Sequence, residues 1–491
     1  MDEIIAEKVI TATYYKLSLI KEQISQIRLH SFPSDNPKQL AEIIKVICNL
    51  FQEYLLRLQN DASSQPVEVA RLAKFIANTT GELASHLRFV EGASIERTPW
   101  NMVLPFQSFV KDIYQPNSFL IVRPQWQYNY KVIWDLVEVY KEHIEKGLSK
   151  KVSLDQKVFN TKLYIVSFPG FEKNNLLLHA NLGHEIGHPI ASEFLAAEAE
   201  SAKAKPQYLP RIAEELEKVL EKVLEKYLGR DATELEKYAQ KGKLQAHIVF
   251  LRKRGLEEII SDLISVNLFG IASLFATEEI ADISQSIDEV KAPQYYPPLR
   301  MRLRLMYEEL LSNGLDSMFN NVDAQRTFQQ NDFNMHVLSA VKERLDIIKT
   351  TVSIDKDKNH IENDPILKIA YDSILEVLPK IKGFIKTRIS GHVFEFEKIH
   401  NTVLPLCDRI ANRIPPNAVE IDPFMPVIAD IPAILNAGWF YKITCLSKLS
   451  SYRKQEEYVK ELNILNDLLL KAVELSHVHR EYFKWIKDSK K

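Results

Sequence analysis

From about residue 3 to residue 92, apolar side chains recur at intervals of three and four, as in Ile44, Ile47, Leu50, Phe51, Tyr54, Leu55 and Leu58. That spacing puts them on one face of an α-helix. The pattern predicts a helical N-terminal region, interrupted where Ser, Asn and Pro cluster at Ser31 to Pro37 and at Ala62 to Pro66. Between Thr98 and Pro124 prolines and aromatics replace the period, and Ser118 to Arg123 is short, apolar and β-branched enough for a strand. A second strand is expected at Lys162 to Phe168, before Pro169-Gly170, with helical periodicity resuming near Asn174. Ile212 to Leu228 alternates apolar positions with Glu and Lys four apart, which predicts a long amphipathic helix. Ile259 to Ala276 is apolar but interrupted by Asp262 and Asn267, so it reads as a buried core helix and not a membrane span.

These patterns suggest an N-terminal helical region over 1–115, a central core over 116–352 with a helical insertion at about 206–240, and a C-terminal helical region over 353–491. The last boundary is placed at Ile354 to Asp364, whose charged residues offer too little apolar surface to pack. Glycine, found only 14 times in 491 residues, supports the helical reading, since sheet-rich and turn-rich chains use more.

Charge and cysteine narrow the function classes. A formal net charge of −2, from 63 basic and 65 acidic side chains, leaves only local patches to attract nucleic acid or an anionic membrane. No nucleic-acid partner is expected. Cys48, Cys407 and Cys445 stand far apart and form no CxxC pair, so they read as reduced packing residues. The start Met1-Asp2-Glu3 lacks the basic and then apolar segments of a secretory signal, and a cytoplasmic location is the expectation. No GxxxxGK[ST], GxGxxG or GxSxG pattern occurs.

The chemistry concentrates in Gly183-His184-Glu185-Ile186-Gly187-His188. On a helix, positions i and i+4 share a face, so His184 and His188 can aim two imidazoles at one point. Glu185, beside the first histidine, can reach the water in an open coordination position and exchange a proton with it. The apolar flanks Leu176, Leu177, Leu178, Leu182, Ile186 and Ile190 imply burial, and buried histidines need partners. A catalytic zinc requires a third ligand. Glu258 and Asp262 lie one turn apart in the apolar run, so one carboxylate can bind the metal while the other receives a ring N–H from a ligand histidine. Glu257 is the alternative ligand if the helix is rotated by one position, and a helix-dipole role for the Glu pair is the reading without a metal. His179 is off the ligand face and reads as structural. His247, His336 and His392 are lone histidines, and His477 and His479 read as surface residues.

With these residues the chain resembles the gluzincin class of zinc metallopeptidases, whose signature is HExxH followed downstream by Glu in an ExxxD setting. It looks closest to the branch containing the CAAX-processing and heat-shock-type membrane peptidases. The resemblance spans about Leu176 to Leu303. It implies Zn2+ held by His184, His188 and Glu258, Glu185 as general base and Asp262 supporting a ligand histidine. That branch also carries His-Pro with an arginine five residues beyond the proline, matched here by Pro297 and Arg302 with Tyr296 in the histidine's place. A phenol or guanidinium there could donate to a developing oxyanion.

Two departures stand out. Pro189, directly after the second histidine, is expected to end or kink the helix early. The membrane spans of the branch are absent, so membrane-embedded substrates are not implied. The expected architecture is mainly α, a zincin-like core with few strands enclosed by N- and C-terminal helical regions. The expected activity is hydrolysis of peptide bonds in a peptide or protein substrate. The alternatives are a helical scaffold with a structural or inactive zinc site, and a zinc hydrolase acting on a non-peptide amide.

Overall fold

A computed structural model describes residues 2–27, 32–60, 65–114, 118–148, 161–204, 208–228, 233–284, 297–320, 332–353, 364–419, 426–447 and 454–489. The chain is mainly helical with few strands. It divides into two compact units, Met1–Asn174 and Asn175–Lys491.

In the first unit, helices α1 (Asp2–Gln26), α2 (Asn36–Asn60) and α3 (Pro66–Gly92) pack on one another. Their shared core contains Leu17, Leu40, Ile44, Ile47, Phe51, Leu55 and Ile76. Helix α4 (Trp100–Ile113) follows in the Pro- and aromatic-rich stretch where no helix is expected from the period. Pro105 sits inside it and gives up one ladder bond. Burial of Met102, Val103, Phe106, Val110 and Ile113 along one face offsets that loss.

Both expected strands form, as β1 (Ser118–Gln125) and β3 (Lys162–Pro169), paired in parallel from Ser118↔Lys162 to Gln125↔Pro169. The three-residue β2 (Lys131–Ile133), too short to show alternation, adds antiparallel to the other edge of β3. Helix α5 (Leu136–Leu148) packs on β3. Asn36, at the start of α2, donates to the Leu120 carbonyl at 2.8 Å and accepts from Gln107 at 3.0 Å, which ties α2 and α4 to the strand.

The second unit is built around two long helices, α6 (Leu182–Ala204) and α8 (Glu234–Phe269), which pack on each other more extensively than any other pair of elements among the described residues. The predicted amphipathic segment is α7 (Tyr208–Leu228). It packs with α8 and α13 (Pro365–Arg388) through Ile212, Leu216, Ile248, Leu251, Ile366 and Ile369. A capping box starts α8, with Thr233 and Glu236 satisfying each other's backbone N–H. At the start of α13, Asp364 accepts from Ile366 and Leu367. The proposed boundary segment before it falls on residues 354–363, outside the described residues.

The apolar run expected as a single helix is two. The first helix, α8, ends at Phe269, and α9 (Ile271–Ser284) begins after Gly270, whose φ of +62° favours glycine. Asn436 closes the break from both sides: its amide donates to the Phe269 carbonyl at 2.8 Å and its oxygen accepts from Ala272 N–H at 3.0 Å. Asn436 belongs to the buried α15 (Ile431–Tyr441), which follows α14 (Leu404–Ala411) and the two-residue strands β4 (Ala418–Val419) and β5 (Val427–Ile428). Helix α10 (Leu299–Ser312) lies against α8 and α9. Helices α11 (Leu315–Asn320), α12 (Asp332–Thr351) and α16 (Gln455–Ser489) complete the described unit. No described helix is long and apolar enough to cross a membrane. Cys48, Cys407 and Cys445 are free thiols.

Candidate metal centre

A short 3-10 turn, Leu178–Asn181, leads into α6 and fixes its start. Trp439 Nε1 donates to the Leu177 carbonyl at 3.1 Å, and Thr277 donates to the Asn181 side chain at 3.1 Å. From there Gly183 and Gly187 face α8. A Cβ at Gly183 would stand 2.6 Å from Ser265 Oγ, and one at Gly187 would stand 2.7 Å from the Ser261 Cα. Glycines one turn apart on α6, opposite serines one turn apart on α8, therefore let the two backbones approach far more closely than larger side chains allow. His184 and His188, each next to one of these glycines, are brought against the buried carboxylates of Leu256 to Phe269. A bidentate pair between Arg252 and Glu198, at 2.8 Å on both arms, locks the same two helices further along.

Among the described residues, His184, His188 and Glu258 form a group whose ligand atoms all lie within 4.8 Å of one another. His184 Nδ1 is 2.8 Å from Asp262 Oδ1, which leaves Nε2 facing Glu258 Oε2 at 3.4 Å. That separation is long for a strong hydrogen bond. It matches two atoms that are each about 2.0–2.2 Å from a tetrahedral ion, which stand about 3.3–3.6 Å apart. The His184 and His188 rings meet edge to face with centroids 4.7 Å apart. Their side chains stay 14% and 13% exposed while Glu258 is 6% exposed, so solvent reaches the imidazole side of the group.

Around this group stand further charges. Arg302, from α10, donates through Nε to Asp262 Oδ2 at 2.7 Å and through Nη2 to Oδ1 at 2.8 Å, and its Nη1 lies 3.4 Å from Glu258 Oε2. Glu257 Oε1 lies 3.7 Å from the buried Nδ1 of His188, which makes no hydrogen bond of normal length, and the other Glu257 oxygen is paired with Arg254. Burial opposes the charge on Glu258, but the His184 contact and the Arg302 guanidinium outweigh it and hold the carboxyl down at about 2. Asp262 is likewise held below the usual carboxylate range: burial raises it, and Arg302 and His184 win. The His184 imidazole is disfavoured as a cation by burial yet pushed up to about 10 by Asp262 and Glu258. Glu185 behaves oppositely. Burial raises its pKa, and the pull of His184, His188 and Arg302 does not cancel that effect.

Two imidazoles and one carboxylate are a donor set that could hold a divalent metal ion. Residues expected together are together: His184, Glu185 and His188 on α6, Glu258 and Asp262 on α8, Arg302 on α10. Glu257 lies against His188 and outside the ligand group. Tyr296 lies outside the described residues. His247, His336 and His392 do not join the group, and His477 and His479 are half-buried, more enclosed than expected of surface residues. Pro189 does not end the helix, which runs on to Ala204, because Ile190 and Phe194 beyond it are buried. Sequence reasoning overlooked the paired small residues Gly183/Gly187 and Ser261/Ser265, although their matching four-residue spacings were a readable signal. Comparison of the chain with protein-family models, with curated proteins and with solved structures finds no match.

Proposed function

We propose that the chain is a zinc-dependent metallopeptidase in which His184, His188 and Glu258 hold the metal and Glu185 is the general base. The observation that carries this reading is the convergence of two imidazoles and one carboxylate within 4.8 Å, with Asp262 seated on the far nitrogen of His184. A divalent metal bound there supplies Lewis acidity toward the substrate carbonyl and toward an attacking water. With a metal in place of the Nε2 proton, Asp262 would keep the His184 proton on Nδ1, so that Nε2 presents its lone pair. Arg302 neutralises Asp262 and steadies Glu258. Glu185, its basicity raised by burial, takes the proton of the attacking water and delivers it to the departing amine. The partial exposure of both histidines supports access of water to the ligand group.

Metal analysis and turnover of a mixed peptide library test the reading together. Wild type should hold about one zinc per chain and cleave peptides. Glu185→Gln should keep the metal and lose cleavage by a factor of at least about 100. His184→Ala should lose both. Full cleavage by Glu185→Gln would refute the base assignment. A wild type that binds zinc but hydrolyses no amide would identify a structural metal in a helical scaffold.

A further inference from the structure

Helix α16 runs on beyond its fully buried face, held there by Arg480, which donates to the Ala429 carbonyl at 2.8 Å. Its last buried residue is Ser476, yet it stays helical to Ser489. On this projecting part Val478, Tyr482 and Trp485 are 52%, 54% and 65% exposed, and with Ile486 they follow the spacing i, i+4, i+7, i+8 of a single helical stripe. Tyr482 and Trp485 stack on each other, with centroids 6.3 Å apart and an interplanar angle of 26°. Lys484 and Lys487 occupy the opposite face together with Arg480, whose guanidinium is engaged by the Ala429 carbonyl, and Phe483, 51% exposed, lies beside them. Residues 480–491 hold five basic and two acidic side chains, Glu481 and Asp488, in a chain whose formal total is −2.

We propose that this end of α16 is an interfacial anchor that lays its Val478, Tyr482, Trp485 and Ile486 stripe into the headgroup region of an anionic membrane. Three considerations select a lipid surface over a partner helix. Trp and Tyr are the side chains that partition to the boundary between headgroups and acyl chains. Lys484 and Lys487 on the opposite face have long stems that can reach phosphates while the ring face is immersed. The local excess of positive charge, against an otherwise acidic chain, complements an anionic leaflet. A short segment of this kind gives reversible, salt-sensitive attachment. The anchor is independent of the metal site and stands or falls without it.

Flotation of the full chain with phosphatidylcholine vesicles, with and without phosphatidylserine, tests the proposal. Wild type should float with phosphatidylserine vesicles at low salt, float much less with phosphatidylcholine alone, and be released by high salt. Tyr482→Ala/Trp485→Ala should reduce the bound fraction at least about tenfold with an unchanged far-ultraviolet circular dichroism spectrum, since both rings are exposed. Lys484→Glu/Lys487→Glu should remove the preference for phosphatidylserine. The proposal is overturned if wild type does not float with phosphatidylserine vesicles, or if the aromatic double variant floats as wild type does. It is also overturned if that variant changes only the solution mass of the protein, which would make the stripe a contact between copies.

Discussion

Asp262 sits between two cationic partners, receiving His184 Nδ1 at 2.8 Å on one oxygen and the Arg302 fork on both. It links α6, α8 and α10, and it decides which nitrogen of His184 is left for a metal. Asp262→Asn keeps the shape but removes the charge that orients the imidazole. Outer-shell changes of this kind weaken metal affinity by about 10–100-fold. Titration against a competing chelator checks this, and an Asn variant as tight as wild type would remove Asp262 from the site.

Close approach of α6 and α8 gives a second prediction, with an internal control. In Gly187→Ala the new Cβ would stand 2.7 Å from Ser261 Cα and 3.0 Å from its carbonyl oxygen, so the helices must separate. Overpacking of this sort costs about 1–3 kcal/mol, and moving His188 away from Glu258 should weaken metal binding too. Gly242, on the same α8, has nothing within 4 Å of its added Cβ. Gly242→Ala should therefore stabilise by about 0.4–1 kcal/mol, since a helical glycine gives way to alanine without strain. Thermal denaturation of the pair reads the contrast, and equal behaviour would show that the helices do not depend on small residues.

The sequence carries the site's chemistry more directly than it carries the packing around it. The HEIGH segment and the Glu258/Asp262 pair carried their own chemistry, because burial of carboxylates and imidazoles demands compensation that residue type alone can suggest. The strands at Ser118 and Lys162 were visible because both are apolar runs ended by proline. Helix α4 was hidden by Pro105, whose lost bond is outweighed by tertiary burial that no local pattern reports. The break at Gly270 was hidden in an unbroken apolar run, since the amide that closes it, Asn436, is distant in sequence. For Arg302 the position was anticipated and its contacts were not: a motif fixes spacing along the chain, whereas the fork onto Asp262 depends on how α10 lies across α8.

The site's ionisation predicts how stability responds to pH once a chelator has removed any metal. Glu258 and Asp262 have depressed pKa values, so their contribution is present above about 4, the unfolded carboxylate range, and is lost as pH falls toward about 2. His184 is raised to about 10, so its contribution is present below about 6.5 and is lost as pH rises through about 10. Chelated protein should therefore melt progressively lower between about pH 6.5 and pH 10. Zinc-loaded protein should lose less across that window, because a ligating imidazole is already neutral. Melting curves with and without chelator measure the difference, and parallel curves would exclude His184 as a ligand.

Thiol chemistry checks the packing of both units. Burial pushes the Cys48 thiol up to about 12, and Cys407, also buried, is raised as well. Both should resist a thiol reagent at neutral pH, while half-buried Cys445 is the reactive position. The native chain should titrate with at most one equivalent, and the denatured chain with all three cysteines. Rapid reaction at Cys48 would show that the core formed by α1, α2 and α3 opens readily.

Arg302 separates two roles by sign. A guanidinium that donates to the developing oxyanion acts only as charge forms, so its loss would lower kcat and leave zinc affinity unchanged. The geometry favours the other role: the fork is spent on Asp262, with Nη1 3.4 Å from Glu258. Arg302→Lys keeps one positive charge but cannot span both oxygens of Asp262 while remaining near Glu258. Zinc affinity and turnover should then fall together, and saturating zinc should restore most of the activity. Chelator competition and kcat at two zinc concentrations distinguish the cases. Activity lost with zinc affinity intact, and not rescued by added zinc, would return Arg302 to the reacting atoms.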